Sequence, residues 1–178
     1  LGVSRTPIRE AMSLLEQEGF VRSSPRRGVF VVRKTKREIL DMVIVWAALE
    51  SMAARMAARK ASDEDIASLR ELFRHFERER LPEQMSEYSE ANIAFHKQIL
   101  RMGGCQLIVD MTDNLFIHMR AIRKVTIARD DSAQRSIEEH MGIIEALEQR
   151  DAERASQLVR DHTLGLAEHI DKRCDFLD

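Results

Sequence analysis

The sequence predicts a mainly α-helical protein: a small helix-and-hairpin unit followed by an all-helical antiparallel bundle of about six helices. Three observations support this fold class. Gly and Pro nearly disappear after about Lys34, and aromatic residues make up only 5% of the chain. Met, Leu, Ile and Ala instead recur at helical spacing, which is typical of helical bundles.

The first unit is predicted to span residues 1–34. Its apolar residues first follow a helical period, and Gly19 is placed to end that helix at the C′ position. Two strands are expected at Phe20–Arg22 and Val29–Val32, joined by a turn over Ser23–Gly28. A helix followed by such a hairpin is the second half of a winged helix-turn-helix. We therefore expect this unit to be truncated at its N-terminus.

Residues 35–178 are predicted to form the helical domain. The proposed breaks carry caps and turn residues, as where Ser62 and Asp65 have the spacing of a capping box. The other breaks are Leu81-Pro82, Gly103-Gly104, Asp130-Asp131 and Arg150-Asp151. These breaks delimit helices near 36–60, 63–80, 83–101, 105–128, 132–149 and 152–173.

Charge divides the chain into a basic head and an acidic body. Residues Leu1 to Arg37 hold nine Lys or Arg against three acids, a balance of +6, although the whole chain carries −2. Such a head indicates contact with a polyanion. No apolar run reaches the ~18 residues of a membrane span, and Cys105 and Cys174 form no disulfide framework. We expect a cytoplasmic protein with no membrane partner.

The start of the first helix has the composition of a DNA-reading element. A recognition helix enters the major groove by its N-terminal residues, where hydroxyls meet phosphates and Arg can fork to guanine. An ordinary amphipathic helix with a basic hairpin is the alternative, and the charge division favours DNA. The predicted DNA-binding residues lie at the helix start and the hairpin turn: Ser4, Arg5, Thr6, Arg9, Arg26, Arg27 and Gly28.

These residues carry a family resemblance. The run Leu1–Ala11, Glu18-Gly19 and Arg27–Val31 resembles the winged helix of GntR-family transcription regulators. The helical domain is similar to the effector domain of the FadR subgroup, on the residues Leu49-Glu50, Ala53-Ala54, Phe95-His96, Glu139-His140 and His162. The resemblance implies a homodimer, a palindromic operator in double-stranded DNA, and a small organic acid as effector. It makes residues 35–178 the effector-binding and dimerisation domain.

Histidine spacing points to a metal site independently of the resemblance. Asn92 and His96 are four residues apart, so both leave one face of a helix. His140 and His162 each lie eleven residues from the turn at Asp151, which puts them at one level of an antiparallel hairpin. Three imidazoles and an amide suit a divalent metal: zinc first, with nickel, manganese or iron as alternatives. The other interpretation is three separate histidines with local hydrogen bonds.

Two positions depart from the resembled family. The position of Asn92 is commonly Asp there, and an amide is a weaker ligand that leaves the site more positive. The position of Trp46 often holds Arg, so an effector carboxylate loses a guanidinium partner and gains an apolar wall, unless Trp46 is simply a core residue. Arg120 and Arg123 are candidates to replace that charge.

Catalytic residues are not predicted. No His is preceded at three residues by Glu, and no His-Glu-x-x-His, P-loop or dinucleotide fingerprint occurs. The alternative functions are a metal-dependent helical enzyme acting on small organic acids, and a helical interaction module with a vestigial basic head. The first would turn over small acids, and the second would lack salt-dependent DNA binding.

Overall fold

The computed structural model describes residues 4–76, 83–127 and 132–173, except for the side chains of residues 120–127, 132 and 173. The predicted fold class is confirmed: these residues form seven helices and one two-stranded sheet. The chain divides into a first compact unit that ends at Thr35 and a second that begins at Lys36. Residues 1–3, the breaks at Leu81-Pro82 and Asp130-Asp131, and Cys174 lie outside the described residues.

The first unit opens with helix α1 (Arg5–Gln17). The helix ends as predicted at Gly19, whose φ of 78° places it in the left-handed region that favours glycine. The Gly19 amide donates to the Glu16 carbonyl and the Phe20 amide to the Leu15 carbonyl, which is the Schellman pattern. This turn leads the chain directly into the hairpin.

Strands β1 (Val21–Ser24) and β2 (Gly28–Val31) form an antiparallel hairpin. Both predicted strands are displaced by one or two residues, and the predicted turn is too long. The reason is that Ser24 pairs with Gly28, so pairing continues to the edge of a three-residue loop. The loop that remains holds Pro25, Arg26 and Arg27.

The second unit contains the remaining helices. None of the helices described combines the length and apolar character that crossing a bilayer requires. Most bounds agree with the sequence prediction within two residues. The helices are α2 (Lys36–Lys60), α3 (Asp63–Glu71), α4 (Met85–Met102), α5 (Gln106–Ile127), α6 (Ser132–Glu148) and α7 (Ala152–Arg173).

Helix α3 is the exception, because a helix to residue 80 was expected and α3 ends at Glu71. Beyond it the backbone makes tighter bonds three residues apart, from Phe73 to Arg70 and from Phe76 to Phe73. This tightening places Phe73 against the ring of Phe95, at a centroid distance of 5.4 Å. Burial of an aromatic side chain here outweighs continuation of the helix.

The core of the second unit forms around α2, which packs most extensively against α7 and also against α4. Small residues allow close approach: a Cβ at Gly103 would lie 2.9 Å from the backbone of Ala53. The start of α3 carries the predicted capping box between Ser62 and Asp65. The α6–α7 turn at Arg150 holds the two helices side by side. Helices α2, α4, α6 and α7 thereby converge on one interior.

Candidate functional site

The start of α1 presents the residues that the sequence predicts to face DNA. Ser4 precedes the helix in an extended conformation (φ −67°, ψ 161°), and its side chain makes no capping hydrogen bond. Ser4, Arg5, Thr6 and Arg9 are all exposed. Arg5 and Arg9 lie one helical turn apart and so project from the same face. Such a surface suits phosphates at the helix start and base edges beside it.

The hairpin turn presents a second basic element. The Arg27 amide donates to the Ser24 carbonyl at 3.0 Å, and Pro25 and Arg26 are the central residues of this turn. Arg26 has a φ of 61°, so the turn has the type II pattern, whose third position usually holds glycine. Arg26, Arg27 and Gly28 are exposed, and open space surrounds Gly28.

Three histidines from three helices meet in the interior of the second unit. His96 comes from α4, His140 from α6 and His162 from α7. One nitrogen of each ring lies within 4.8 Å of the corresponding nitrogens of the other two. The Nε2 atoms of His140 and His162 are 3.1 Å apart, which is the level match that equal distance from the turn predicts. His96 and His140 are buried, and the side chain of His162 is 6% exposed.

Two carboxylates hold the outer nitrogens of this cluster. His96 Nδ1 donates to Glu50 Oε1 at 2.5 Å, and Glu50 is fully buried. The hydroxyl of Thr163 donates to the other Glu50 oxygen at 3.3 Å. His162 Nδ1 donates to Glu139 Oε2 at 2.6 Å. Both Nε2 atoms are therefore directed inward, away from the carboxylates.

Neither Glu50 nor Glu139 is among the site residues predicted from the sequence. A signal for Glu50 was present: it falls on the apolar face of α2, in helical register with the buried residues Val43, Trp46 and Ala54. A carboxylate at a core position requires a partner. No comparable pattern marks Glu139, which is 41% exposed.

The ionisation of Glu139 reflects its position beside the cluster. Partial burial raises the pKa of this carboxyl group, but the hydrogen bond from His162 and the nearby charges of His162 and Arg135 bring the pKa below its ordinary value. Burial and the charge of Arg135 lower the pKa of His169, one heptad beyond His162. The outer face of the cluster therefore favours a charged carboxylate at Glu139 and a neutral imidazole at His169.

Aromatic side chains enclose the histidines. Trp46 is buried and meets the rings of His96 and Phe116 edge-on, at centroid distances of 4.9 Å and 5.1 Å. Phe73 stacks on His140 at 4.8 Å. His96 and His140 are buried among these rings, and burial strengthens electrostatic interactions inside the cluster.

Of the remaining predicted site residues, one is placed near the cluster and two are not described. Asn92 is fully buried on α4, one turn before His96. The side chains of Arg120 and Arg123 lie outside the described residues.

The donor set fits a divalent metal. Two imidazole nitrogens bound to one zinc at about 2.0–2.1 Å with tetrahedral angles lie about 3.3 Å apart. The His140–His162 separation of 3.1 Å is close to that value. Nitrogen donors with fixed outer hydrogen bonds are also the usual ligands of zinc and its neighbours in the first transition row.

Two family models match the chain. Residues 41–165 match the FCD domain. Residues 1–31 match the model of bacterial regulatory proteins of the gntR family. Both models describe regulatory domains, and similar proteins are named transcriptional repressors, so the chain is a regulator and not an enzyme.

Similar proteins cover nearly the whole chain. The HTH-type transcriptional repressor RspR of Escherichia coli (strain K12) is 24% identical over 169 residues, which are 94% of this chain and 74% of RspR. The HTH-type transcriptional repressor GlaR of the same strain is 29% identical over 172 residues, 92% of this chain and 77% of GlaR. The solved structure of E. coli McbR/YncC has the same fold, with a TM-score of 0.78, 21% identity, and coverage of 98% of this chain and 83% of that one.

The matches and the observed fold agree in their order along the chain. Helix α1 and the hairpin fall within the gntR match, and all three histidines of the cluster fall within the FCD match. The chain therefore belongs to the GntR family of transcription regulators, in the group whose helical unit is an FCD domain of the FadR C-terminal type.

Proposed function

We propose that this regulator binds a divalent metal at His96, His140 and His162, with Asn92 as a fourth ligand, and that a small carboxylate effector binds against the metal. The observation that carries the proposal is the meeting of three buried or nearly buried imidazoles with nitrogens within 4.8 Å of one another. Zinc is the first choice, and nickel, manganese and iron suit the same donors.

The metal would supply a positive centre in an interior of low polarity. Neutral imidazoles and an amide leave the charge of a dication largely intact at the first coordination shell. A carboxylate that completes the shell satisfies this charge, and Trp46 and Phe116 offer apolar contact to the rest of the effector. Arg120 and Arg123 remain proposed as further partners of the carboxylate.

On the DNA side, the exposed start of α1 is proposed to enter the major groove. Arg9 would fork to a guanine, while Ser4, Arg5 and Thr6 would contact phosphates or neighbouring bases. Arg26, Arg27 and Gly28 would approach the adjacent minor groove. This assignment rests on the exposure of all seven residues and on the basic charge of the first unit.

A second copy of the chain is proposed to cover an apolar surface of the second unit. Helices α2 and α5 are neighbours, and each exposes large apolar side chains. On α2 these are Ile44, Val45 and Met52, and on α5 they are Leu107, Met111 and Ile117. Exposed apolar side chains on neighbouring helices are a feature of protein interfaces. A twofold dimer would read a palindromic operator, since operator symmetry mirrors that of the protein.

Helix α2 is the proposed connection between effector and DNA. It begins at Lys36, immediately after the first unit, and carries both Trp46 and Glu50, which contact His96. An effector can change DNA affinity only if it binds one arrangement of the two first units better than another. A contact that shifts the wall of the cluster would shift α2 directly.

The proposal is tested by measuring metal in purified protein. His140→Ala and His162→Ala should each abolish a content of about one divalent ion per chain, since two imidazoles and an amide compete poorly with water. His75→Ala is the matched control, because His75 is exposed and stands apart from the cluster. Metal retained in both cluster variants, or none in the wild-type protein, would refute the site.

A further inference from the structure

Two of the three histidines in the cluster are held by a carboxylate at the nitrogen that faces away from the centre. Glu50 reaches His96 from α2 at 2.5 Å, and Glu139 reaches His162 from α6 at 2.6 Å. The group of possible metal ligands consists of the three histidines and includes neither Glu50 nor Glu139. Their role in the site is thus distinct from that of a ligand.

Each carboxylate selects one form of its histidine. An ionised carboxylate only accepts hydrogen bonds, so the Nδ1 atom of the ring must carry the proton. In the neutral ring the lone pair then lies on Nε2, the atom of His162 that faces His140 at 3.1 Å. The rings of His96 and His162 therefore have the tautomer that binds a cation already in the metal-free protein.

The two carboxylates differ in their surroundings. Glu50 is fully buried and also accepts a hydrogen bond from Thr163 at 3.3 Å. Glu139 is 41% exposed and lies 3.6 Å from the exposed guanidinium of Arg135, whose positive charge partly offsets that of the carboxylate. Because solvent does not reach Glu50, its interaction with the cluster is screened less than that of Glu139.

We propose that Glu50 and Glu139 are the positioning residues of the metal centre and that Glu50 has the larger effect. Resting on the proposed metal site, this inference assigns to the outer carboxylates the negative charge that three imidazoles and Asn92 do not supply. Glu50 fixes the orientation of His96 and stabilises the bound cation through that ring. Glu139 does the same for His162 from the side that meets solvent.

The test is a competition titration of Zn²⁺ against a chromophoric chelator with the full chain. Glu50→Gln keeps the shape and an acceptor oxygen but removes the charge, and we expect it to weaken zinc affinity about 10- to 100-fold. Glu139→Gln should weaken it less. Glu138→Gln is the matched control, because this exposed neighbour of Glu139 is outside the cluster and should leave affinity unchanged.

A spectroscopic measurement separates positioning from a merely structural role. In the metal-free wild-type protein, ¹⁵N NMR should place the ring protons of His96 and His162 on Nδ1. Glu139→Ala should release that preference at His162 while leaving His96 unchanged, and should alter the visible spectrum of the Co²⁺-loaded protein. This variant keeps the inference testable even if a change at buried Glu50 prevents folding.

Three results would overturn the inference. Zinc affinity equal to wild type in both Gln variants would overturn it while leaving the metal site intact. Rings of His96 and His162 that carry the proton on Nε2 in the metal-free wild-type protein would also overturn the inference and leave the metal site intact. A wild-type protein that binds no zinc would overturn the proposed function together with the inference, so the two failures are distinguishable.

Discussion

Arg26 at the hairpin turn holds a backbone conformation that suits glycine better. Its φ of 61° costs an L-residue about 1 kcal/mol relative to glycine. An exposed arginine at such a position gains nothing from packing that offsets this cost. Contact of its guanidinium with a phosphate would explain its presence, whereas Arg9 on α1 is proposed to contact a base.

Substitutions at these two arginines should have different effects on DNA binding. Arg9→Ala should cost ~1–3 kcal/mol on the operator and relax sequence preference, because a fork to guanine is lost. Arg26→Gly should weaken operator and random DNA alike and reduce the salt slope by about one, because a phosphate contact is lost. Titrations of both DNAs at several salt concentrations measure these effects.

If Arg9→Ala lowers the affinity for operator and random DNA equally, Arg9 does not read a base. Comparing Arg26→Gly with Arg26→Ala separates the loss of the guanidinium from the relief of backbone strain. Both variants should bind DNA equally weakly, but only the glycine variant relieves the strained turn. A stronger loss on the operator than on random DNA in both Arg26 variants would contradict a phosphate contact.

Asn92 provides a second prediction at the scale of a single residue. Asn92→Asp should tighten zinc binding on the order of tenfold, because an anionic oxygen attracts the cation strongly at an effective dielectric of about 20, less the cost of burying a carboxylate. The same variant should be less stable than wild type without metal, since the charge is then buried uncompensated. Chelator competition and thermal unfolding with and without zinc measure both effects. An Asp variant that binds zinc more weakly would exclude this position from the coordination shell.

At the scale of the helices, the α6–α7 hairpin was predictable because its two helices are consecutive. A turn of only three residues, 149–151, fixes their register, so spacing from the turn predicts that His140 meets His162. The capping box at Ser62 was predictable for a similar reason, since it depends on residues three positions apart. Local constraints of this kind can be seen in one sequence.

Contacts between distant helices could not be derived in this way. Glu50 and His96 are 46 positions apart, and periodicity states which face each occupies but not which residue it meets. The early end of α3 was missed because its cause is also distant: Phe73 packs on Phe95 and His140. Tertiary packing here overrides local helix preference.

Arg150 lies in the turn between α6 and α7 and binds residues at the end of α2 and the start of α3, which gives a prediction for stability. It occupies the left-handed region at a φ of 60°, and its guanidinium donates to the Ala61 carbonyl at 2.6 Å, to the Ala58 carbonyl at 3.4 Å, and to Asp63. Arg150→Ala should lower the free energy of unfolding by about 1–3 kcal/mol through the loss of these bonds. Arg150→Gly should lower it by about 1 kcal/mol less, because glycine relieves the backbone.

Urea unfolding in the presence of a chelator measures both Arg150 variants without a contribution from bound metal. Glycine as destabilising as alanine, or more so, would show that the backbone at this turn is not strained.

At the scale of the whole molecule, the exposed apolar surface of α2 and α5 should determine the oligomeric state. Met52→Glu and Met111→Glu place a charge in the proposed dimer interface and should produce monomers at micromolar concentration, because burying an unpaired carboxylate is costly. Sedimentation or light scattering measures the change. Gln157→Glu makes the same charge change on the exposed surface of α7 and should leave a dimer.

Dimers that persist in both Met variants would show that the interface lies elsewhere on the protein. Monomers in all three variants, or in the wild-type protein, would remove the basis for a palindromic operator.

The central claim is that effector recognition depends on the metal held by His96, His140 and His162. Calorimetric titration of a panel of small carboxylic acids into zinc-loaded and chelated protein tests it most directly. The acid that alters operator binding in a gel shift should lose most of its affinity after chelation, while circular dichroism shows unchanged helix content. Equal affinity of that acid for the loaded and the chelated protein would contradict the claim and leave the metal a structural role only.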